Sequence, residues 1–99
     1  ERTHEGTVYM SKAEMQYRKY LDTKVLAKEV LSYKEQVPFQ VVVNEKNICV
    51  YKLDFEVKYT DRIEYVDVKG VKTALYSLKK KLVEALFGIK ITEIKKEDF

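Results

Sequence analysis

The chain has very few of the residues on which most zinc, redox and nucleophilic sites depend. Cys49 is its only cysteine and His4 its only histidine. One cysteine cannot form an intrachain disulfide or a multi-cysteine zinc site. A single histidine argues against most zinc chemistry and against most Ser/His or Cys/His catalytic pairs. The chemistry left open relies on carboxylates, lysines and hard cations.

Long apolar segments are missing as well. No hydrophobic run approaches the length of a membrane span, and no signal peptide is visible. We therefore expect no membrane association and, as the default, a reducing cytoplasmic location. The 99 residues suit one domain, residues 1–99. A net charge of +3 is compatible with an anionic partner but does not require one.

Two segments have the periodicity of amphipathic helices. Ser11 and Glu14 form a capping-box pattern that predicts a helix running to about Val25. Thr73 can cap a second helix, and Gly88 is typical of its C-terminal stop. The second helix is expected to bury a stripe of four leucines, which are Leu75, Leu78, Leu82 and Leu86.

Alternating apolar and polar residues predict the strands. They cover residues 8–10, about 30–43, 48–59, 63–69 and a short last segment near 89–93. Pro38 lacks an N–H donor, so it favours an edge position or a bulge. The order of these elements predicts an α/β fold in which a mixed central β-sheet is flanked by helices.

Two acidic residues lie on neighbouring predicted strands. Asp54 is near the middle of one strand, and Asp67 lies near the end of the next, with Lys69 two residues further on. An antiparallel pairing can bring the two carboxylates together, where they repel unless a cation or a proton lies between them. Magnesium prefers one or two carboxylates together with waters and substrate oxygens. The pattern therefore indicates a metal site beside a phosphodiester, and the alternative is a polar strand face with inconsequential ion pairs.

An acid placed two residues before a lysine is uninformative by itself. Four such pairs occur: Asp22/Lys24, Glu56/Lys58, Asp67/Lys69 and Glu93/Lys95. Asp67 and Lys69 stand out because they share a strand face with Ile63 and Tyr65 rather than an all-polar face.

Glu14 has two interpretations. The simpler one is that a glutamate at the third helical position completes a capping box. Glu14 also lies within a stripe formed by Met10, Tyr17 and Leu21. An acid there must be capped, paired or placed at a cleft, because burying it bare is costly. Both interpretations can hold together.

Several lysines are candidates for binding phosphates. Lys79 lies beside the predicted leucine stripe, whereas Lys81 is well away from it. Lys72 follows the strand that carries Asp67, and Lys12 stands near the predicted start of the first helix. The simpler explanation for the run at 79–81 is a solvated helix face.

Taken in order, these residues resemble the PD-(D/E)XK nuclease superfamily. The chain is most similar to a family of small phage and prophage proteins within it, related to Holliday junction resolvases and transposon end-cleaving endonucleases. The segments that carry the resemblance are 6–14, 17–18, 36–39, 53–55, 66–73, 78–82 and 87–89. One departure is Leu53, which replaces the proline that commonly precedes the first acid.

The resemblance implies a restriction-endonuclease-like core and a Mg²⁺- or Mn²⁺-dependent endodeoxyribonuclease. It assigns the cation to Asp54, Asp67, the Val68 carbonyl and Glu14. It assigns to Lys69 the orientation of the attacking water or the stabilisation of charge on the phosphate.

The resemblance also implies the partners and the setting. DNA is the expected substrate, with Lys12, Lys72 and Lys79 on its backbone, and a homodimer that cuts both strands is expected. The expected setting is the cytoplasm of a bacterial host, for a phage- or prophage-encoded protein. The competing interpretation is a non-catalytic nucleic-acid-binding module, and a third is a structural subunit of a phage complex.

Overall fold

A mixed four-stranded sheet organises the chain. The computed structural model describes residues 3–4, 7–8, 12–68, 73–95 and 98. In chain order the elements are β1 (Thr3–His4), β2 (Thr7–Val8), α1 (Lys12–Leu26), β3 (Ser32–Val43), β4 (Lys46–Lys58), β5 (Ile63–Val68), α2 (Ala74–Phe87) and β6 (Ile91–Ile94). The sheet order is β3-β4-β5-β6, antiparallel except for the parallel β5–β6 pair. The predicted α/β fold with a mixed sheet is confirmed.

The N-terminal strands differ from the prediction. An edge strand was expected at residues 8–10, whereas β1 and β2 pair antiparallel with each other in a separate two-stranded sheet. Tyr9, Met10 and the predicted cap Ser11 lie outside the described residues.

A long hairpin of β3 and β4 forms one side of the main sheet. Asn44 and Glu45 connect the strands, and both have positive φ angles, 50° and 66°. Two such residues make the mirror-image turn whose twist matches that of the strands. Pro38 lies on β3, where it pairs with Lys52 of β4. Because β3 is an edge strand of the sheet, the prediction of an edge position is confirmed.

Each helix covers a separate part of the core. On α1, Tyr17 and Leu21 are buried against a cluster that includes Phe55 and Val57 of β4. On α2, Val83 is buried in a second cluster of buried residues with Val41, Tyr51, Leu53 and Ile91. Neither helix in the described part of the chain is long and apolar enough to cross a membrane.

The predicted leucine stripe of α2 is not the buried face, and that prediction is wrong. The exposed fractions are 61% for Leu75, 56% for Leu78 and 47% for Leu86, while Leu82 is half-buried. The face toward the sheet carries Tyr76, Lys80 and Val83, which are spaced as one helical stripe. Tyr76 bonds to Asp67, and Lys80 pairs with Glu93. These polar contacts orient the helix so that Leu75, Leu78 and Leu86 face outward, while Leu82 packs at the margin of the second core cluster.

Val83→Ala should therefore destabilise the fold by about 2 kcal/mol, because Val83 is fully buried and its loss leaves a cavity. Leu26→Ala is the control, since Leu26 is 85% exposed at the end of α1. It removes more atoms yet should change stability by less than about 0.5 kcal/mol. Urea unfolding measures both. Equal losses would contradict the assigned packing face.

Candidate functional site

Asp54 and Asp67 meet where β4 and β5 separate. The paired residues of these strands end at Phe55 and Val66, and one further step in the same register sets Asp54 opposite Asp67. Asp54 is only 6% exposed and Asp67 is fully buried. The expected approach of the two acids is confirmed, and both are far less exposed than residues on a solvated strand face.

Each carboxylate accepts a hydrogen bond from the backbone of the opposite strand. The Asp54 N–H donates to Asp67 Oδ1 at 3.0 Å, and the Val68 N–H donates to Asp54 Oδ2 at 2.9 Å. Bonds from N–H groups to a carboxylate are charge-assisted and stabilise its ionised form. They link the strands where the backbone pairing has ended, and they help to explain how two acids can be buried side by side.

Helix α2 contributes a third polar group, the hydroxyl of Tyr76. It donates to Asp67 Oδ2 at 3.2 Å. The Thr73 side chain caps the helix by accepting the Tyr76 N–H at 3.0 Å, as the sequence predicted, and so fixes the turn that carries this tyrosine. Burial, the charge of Asp67 and a hydrogen bond with Glu93 raise the pKa of Tyr76. The phenol therefore stays protonated and can donate.

Strand β6 brings Glu93 to the same region. Glu93 is the parallel partner of Asp67, and its carboxylate lies 3.6 Å from Lys80 Nζ. Lys80 also lies 4.0 Å from Glu84. In the sequence, Glu93 was only the last of four acid–lysine pairs, and no local signal placed it beside Asp67.

Glu14 approaches the site through Gln36. The Gln36 side-chain amide donates to Glu14 Oε2 at 3.5 Å, which is a long bond. Gln36 lies between Glu35 and Val37, whose partners on β4 are Phe55 and Leu53, so its register position faces Asp54. Its φ of 53° is uncommon for a residue other than glycine and marks local strain beside the acids.

Three acids do not gather into one cluster. Within residues 12–68 and 73–95, no group of three or more histidine, cysteine or acidic side chains could hold a metal ion. Glu14 therefore does not complete a three-carboxylate site with Asp54 and Asp67 in this conformation.

The two buried acids nevertheless suit a hard cation. Mg²⁺ commonly binds one or two carboxylates and completes its shell with water and substrate oxygens. A carboxylate has about four lone-pair sites, so an oxygen that accepts one hydrogen bond can still bind a cation. The donor chemistry of Asp54 and Asp67 thus fits Mg²⁺ or Mn²⁺.

The candidate lysines are only partly described. Lys79 is half-buried and lines a cleft of about 230 Å³ between β4 and α2, together with Lys52. Lys12 is exposed at the start of α1. Lys69 and Lys72 lie outside the described residues. Lys52 was not selected from the sequence, although it stands two residues before Asp54.

A sequence profile described as "Protein of unknown function (DUF1064)" matches residues 2–97. The chain belongs to the DUF1064 family. The match spans Asp54, Asp67 and both helices. No curated protein and no solved structure matches the chain. The DUF1064 description names no activity.

Buried and half-buried tyrosines should make folding sensitive to alkali. Burial is the main cause that raises the pKa values of Tyr17, Tyr59 and Tyr76, and it raises the pKa of Tyr33 to about 12. Unfolded tyrosines ionise near pH 10, while the folded ones keep their protons. Their stabilising contribution is therefore complete below pH 10 and declines as the pH rises above it. Buried Tyr17 alone should account for about 1 kcal/mol per pH unit there.

Urea unfolding at about pH 8 and about pH 11 tests this expectation. Tyr17→Phe should lose less stability between the two pH values than the unsubstituted protein does. A stability that is the same at both pH values would contradict the argument.

Proposed function

We propose that this chain is a Mg²⁺- or Mn²⁺-dependent endodeoxyribonuclease of the PD-(D/E)XK type. The observation that carries the proposal is the pair of buried carboxylates, Asp54 and Asp67, on adjacent strands of the mixed β-sheet. Buried acids are rare unless they are paired, hydrogen-bonded or bound to a metal.

In this proposal Asp54, Asp67 and the Val68 carbonyl hold the cation. When bound, the cation supplies a water of lowered pKa and offsets charge on the scissile phosphate. Lys69, two residues after Asp67, orients the attacking water or stabilises charge on a non-bridging phosphate oxygen. Glu14 supports the site from α1 through Gln36.

Tyr76 is a positioning residue in this scheme. Its protonated hydroxyl holds one oxygen of Asp67, and the Asp54 N–H holds the other. Both oxygens of Asp67 are thereby fixed before a cation arrives, and such second contacts orient the ligands of metal sites.

The backbone of DNA would be bound by basic side chains. Lys79, Lys72 and Lys12 are the proposed contacts, and each phosphate contact makes affinity fall with rising salt. A structure-selective substrate such as a four-way junction follows only from the resemblance to junction resolvases. The proposed setting is likewise the cytoplasm of a bacterial host, with a phage or prophage as the source.

A homodimer is proposed because one domain of 99 residues covers little DNA. The exposed leucines of α2 supply an apolar face, and their spacing allows two copies to pair antiparallel about a two-fold axis. Leu78→Glu should convert the dimer into a monomer, because it places a charge in that face. Sedimentation measures the mass. If the unsubstituted protein sediments as a monomer, the proposed homodimer is contradicted.

The main alternative is a non-catalytic nucleic-acid-binding module. It is favoured by one observation: the two oxygens of Asp67 accept bonds from the Asp54 N–H and the Tyr76 hydroxyl, so the pair is stabilised by protein groups. Under this alternative the acids are structural, and DNA affinity depends on salt but not on a divalent metal.

Cleavage assays separate the two functions. Supercoiled plasmid and four-way-junction DNA are incubated with the protein in Mg²⁺, in Mn²⁺ and in chelator, and binding is measured in parallel. The nuclease predicts metal-dependent nicking that chelator abolishes. Salt-sensitive binding without nicking in either metal would favour the binding module. Neither binding nor nicking would favour a structural subunit.

A further inference from the structure

A cleft lies between β4 and α2, and neither Asp54 nor Asp67 lines it. It has a volume of about 230 Å³. Its walls include Val50 and Lys52 from β4, and Leu75 and Lys79 from the first turns of α2. Tyr51, Thr73 and Tyr76 also line it. The cleft is therefore built from a strand and from the beginning of a helix.

The charged residues that line the cleft are both basic. Lys52 and Lys79 approach it from different elements, and none of the described residues that line it is acidic. The N-cap residue Thr73 also lines it, so the first turn of a 14-residue helix points its positive end toward this region. An anion is the ligand that such a cleft would attract.

The hydroxyl of Tyr51 gives an independent reason to expect a ligand. Tyr51 is only 5% exposed, and its hydroxyl has no hydrogen-bond partner among the described residues. A buried polar group without a partner is costly, and native structures contain few of them. Tyr51 also lines the cleft and stacks on Tyr76, with ring centroids 6.2 Å apart. A bound oxyanion can supply the missing acceptor.

The cleft adjoins the acid pair. Tyr76 lines the cleft, and its hydroxyl bonds to Asp67. Lys52 precedes Asp54 by two residues on the same strand, which places the two Cα atoms roughly 6.6 Å apart along β4. A ligand in the cleft would therefore lie next to whatever the acids hold.

We infer that this cleft binds a backbone phosphate of a single DNA strand, adjacent to the phosphate at Asp54 and Asp67. Lys52, Lys79 and the beginning of α2 neutralise the phosphate, and Tyr51 donates to it. Val50 and Leu75 offer apolar surface to the attached sugar or base. The adjacency to a scissile phosphate rests on the proposed function, whereas phosphate binding itself does not.

Binding of a short fluorescent oligothymidylate to the full chain in chelator tests the inference. Lys52→Gln and Lys79→Gln should each weaken binding about tenfold, as expected for a lost charged hydrogen bond. Each should also lower the slope of log affinity against log salt by about 0.7. The control is Lys58→Gln, on the same strand but lining a different cleft, and it should change neither quantity.

Two further arms sharpen the result. An oligothymidylate with an uncharged methylphosphonate backbone should lose most of the affinity, and competition by inorganic phosphate distinguishes a general anion site from a strand site. Tyr51→Phe should weaken binding several-fold while raising the thermal midpoint of the unliganded protein, because it deletes an unpartnered hydroxyl.

Specific outcomes would overturn the inference. Equal losses of affinity for Lys58→Gln and Lys52→Gln would show that binding reflects nonspecific charge rather than the cleft. Tight binding of the methylphosphonate strand would show that the cleft does not recognise a charged phosphate. Binding that depends on Lys52 and Lys79 without any cleavage in Mg²⁺ or Mn²⁺ would support the phosphate site and contradict the proposed nuclease activity. Cleavage together with unchanged affinity in Lys52→Gln would support the nuclease activity and contradict phosphate binding in the cleft.

Discussion

Asp67→Asn is expected to lower metal-dependent DNA cleavage by about 10²- to 10⁴-fold, which is the range for loss of a central catalytic group. In the proposed site, the substitution removes the negative charge of Asp67 and replaces one of its two carboxylate oxygens with an NH₂ group, which cannot bind a cation. The remaining amide oxygen can still accept from the Asp54 N–H, and the Tyr76 hydroxyl can turn to accept from the new NH₂ group. The fold should therefore persist, so that lost cleavage reports on chemistry.

Asp61→Asn is the matched control for this prediction. It makes the same chemical change in an exposed turn, where the Asp61 carboxylate pairs with its neighbour Arg62. We expect it to cleave at the unsubstituted rate. Single-turnover cleavage and circular dichroism should be recorded for both variants. A folded Asp67→Asn protein that cleaves DNA as fast as the control would refute the catalytic role of Asp67.

The second large effect is stabilisation of the fold by Mn²⁺. A cation that binds only the native state at one hundred times its dissociation constant adds about 2.7 kcal/mol to the free energy of unfolding. Asp54 is buried and bonded to the Val68 N–H, so it is held in place before binding. Asp54→Asn should abolish most of the gain, because the site then has one carboxylate instead of two.

Thermal unfolding with and without Mn²⁺ measures this gain. The comparison is made within each variant, so that any effect of Asp54→Asn on the metal-free fold cancels. Asp61→Asn should keep the full gain. An equal Mn²⁺ effect in Asp54→Asn would show that the cation binds elsewhere.

The elements of the fold were predictable because their signals are local. Thr73 accepts the Tyr76 N–H as a cap, and Gly88 ends α2 with a φ of 66°. Asn44 and Glu45 turn the chain at the expected place, although β4 begins earlier than predicted, at Lys46. Each depends on the conformational preferences of one or two residues.

The orientation of α2 was not predictable from its leucines. Its stripe has the periodicity of a buried face, but two polar contacts to the sheet place Tyr76 and Lys80 inward. Hydrophobic periodicity reports what a helix could bury, and the tertiary partners decide which face it does bury. Leu75, Leu78 and Leu86 remain exposed as a result.

The candidate site was predictable only in part for a similar reason. Asp54 and Asp67 could be paired because β4 and β5 follow each other as antiparallel strands. Glu93 reaches Asp67 through the parallel pairing of β6, which needs the α2 crossover and leaves no mark in the local sequence. The contact between Tyr76 and Asp67 depends on the orientation of α2, which the local sequence does not show either.

The measurement that tests the central claim most directly is anomalous diffraction from crystals grown with Mn²⁺. The account predicts an anomalous peak within coordination distance of the carboxylates of both Asp54 and Asp67, and its loss in Asp54→Asn crystals. Crystals saturated with Mn²⁺ that show no peak between these two acids, or peaks only at exposed carboxylates, would contradict it. In that case the acid pair would be a structural link between β4 and β5.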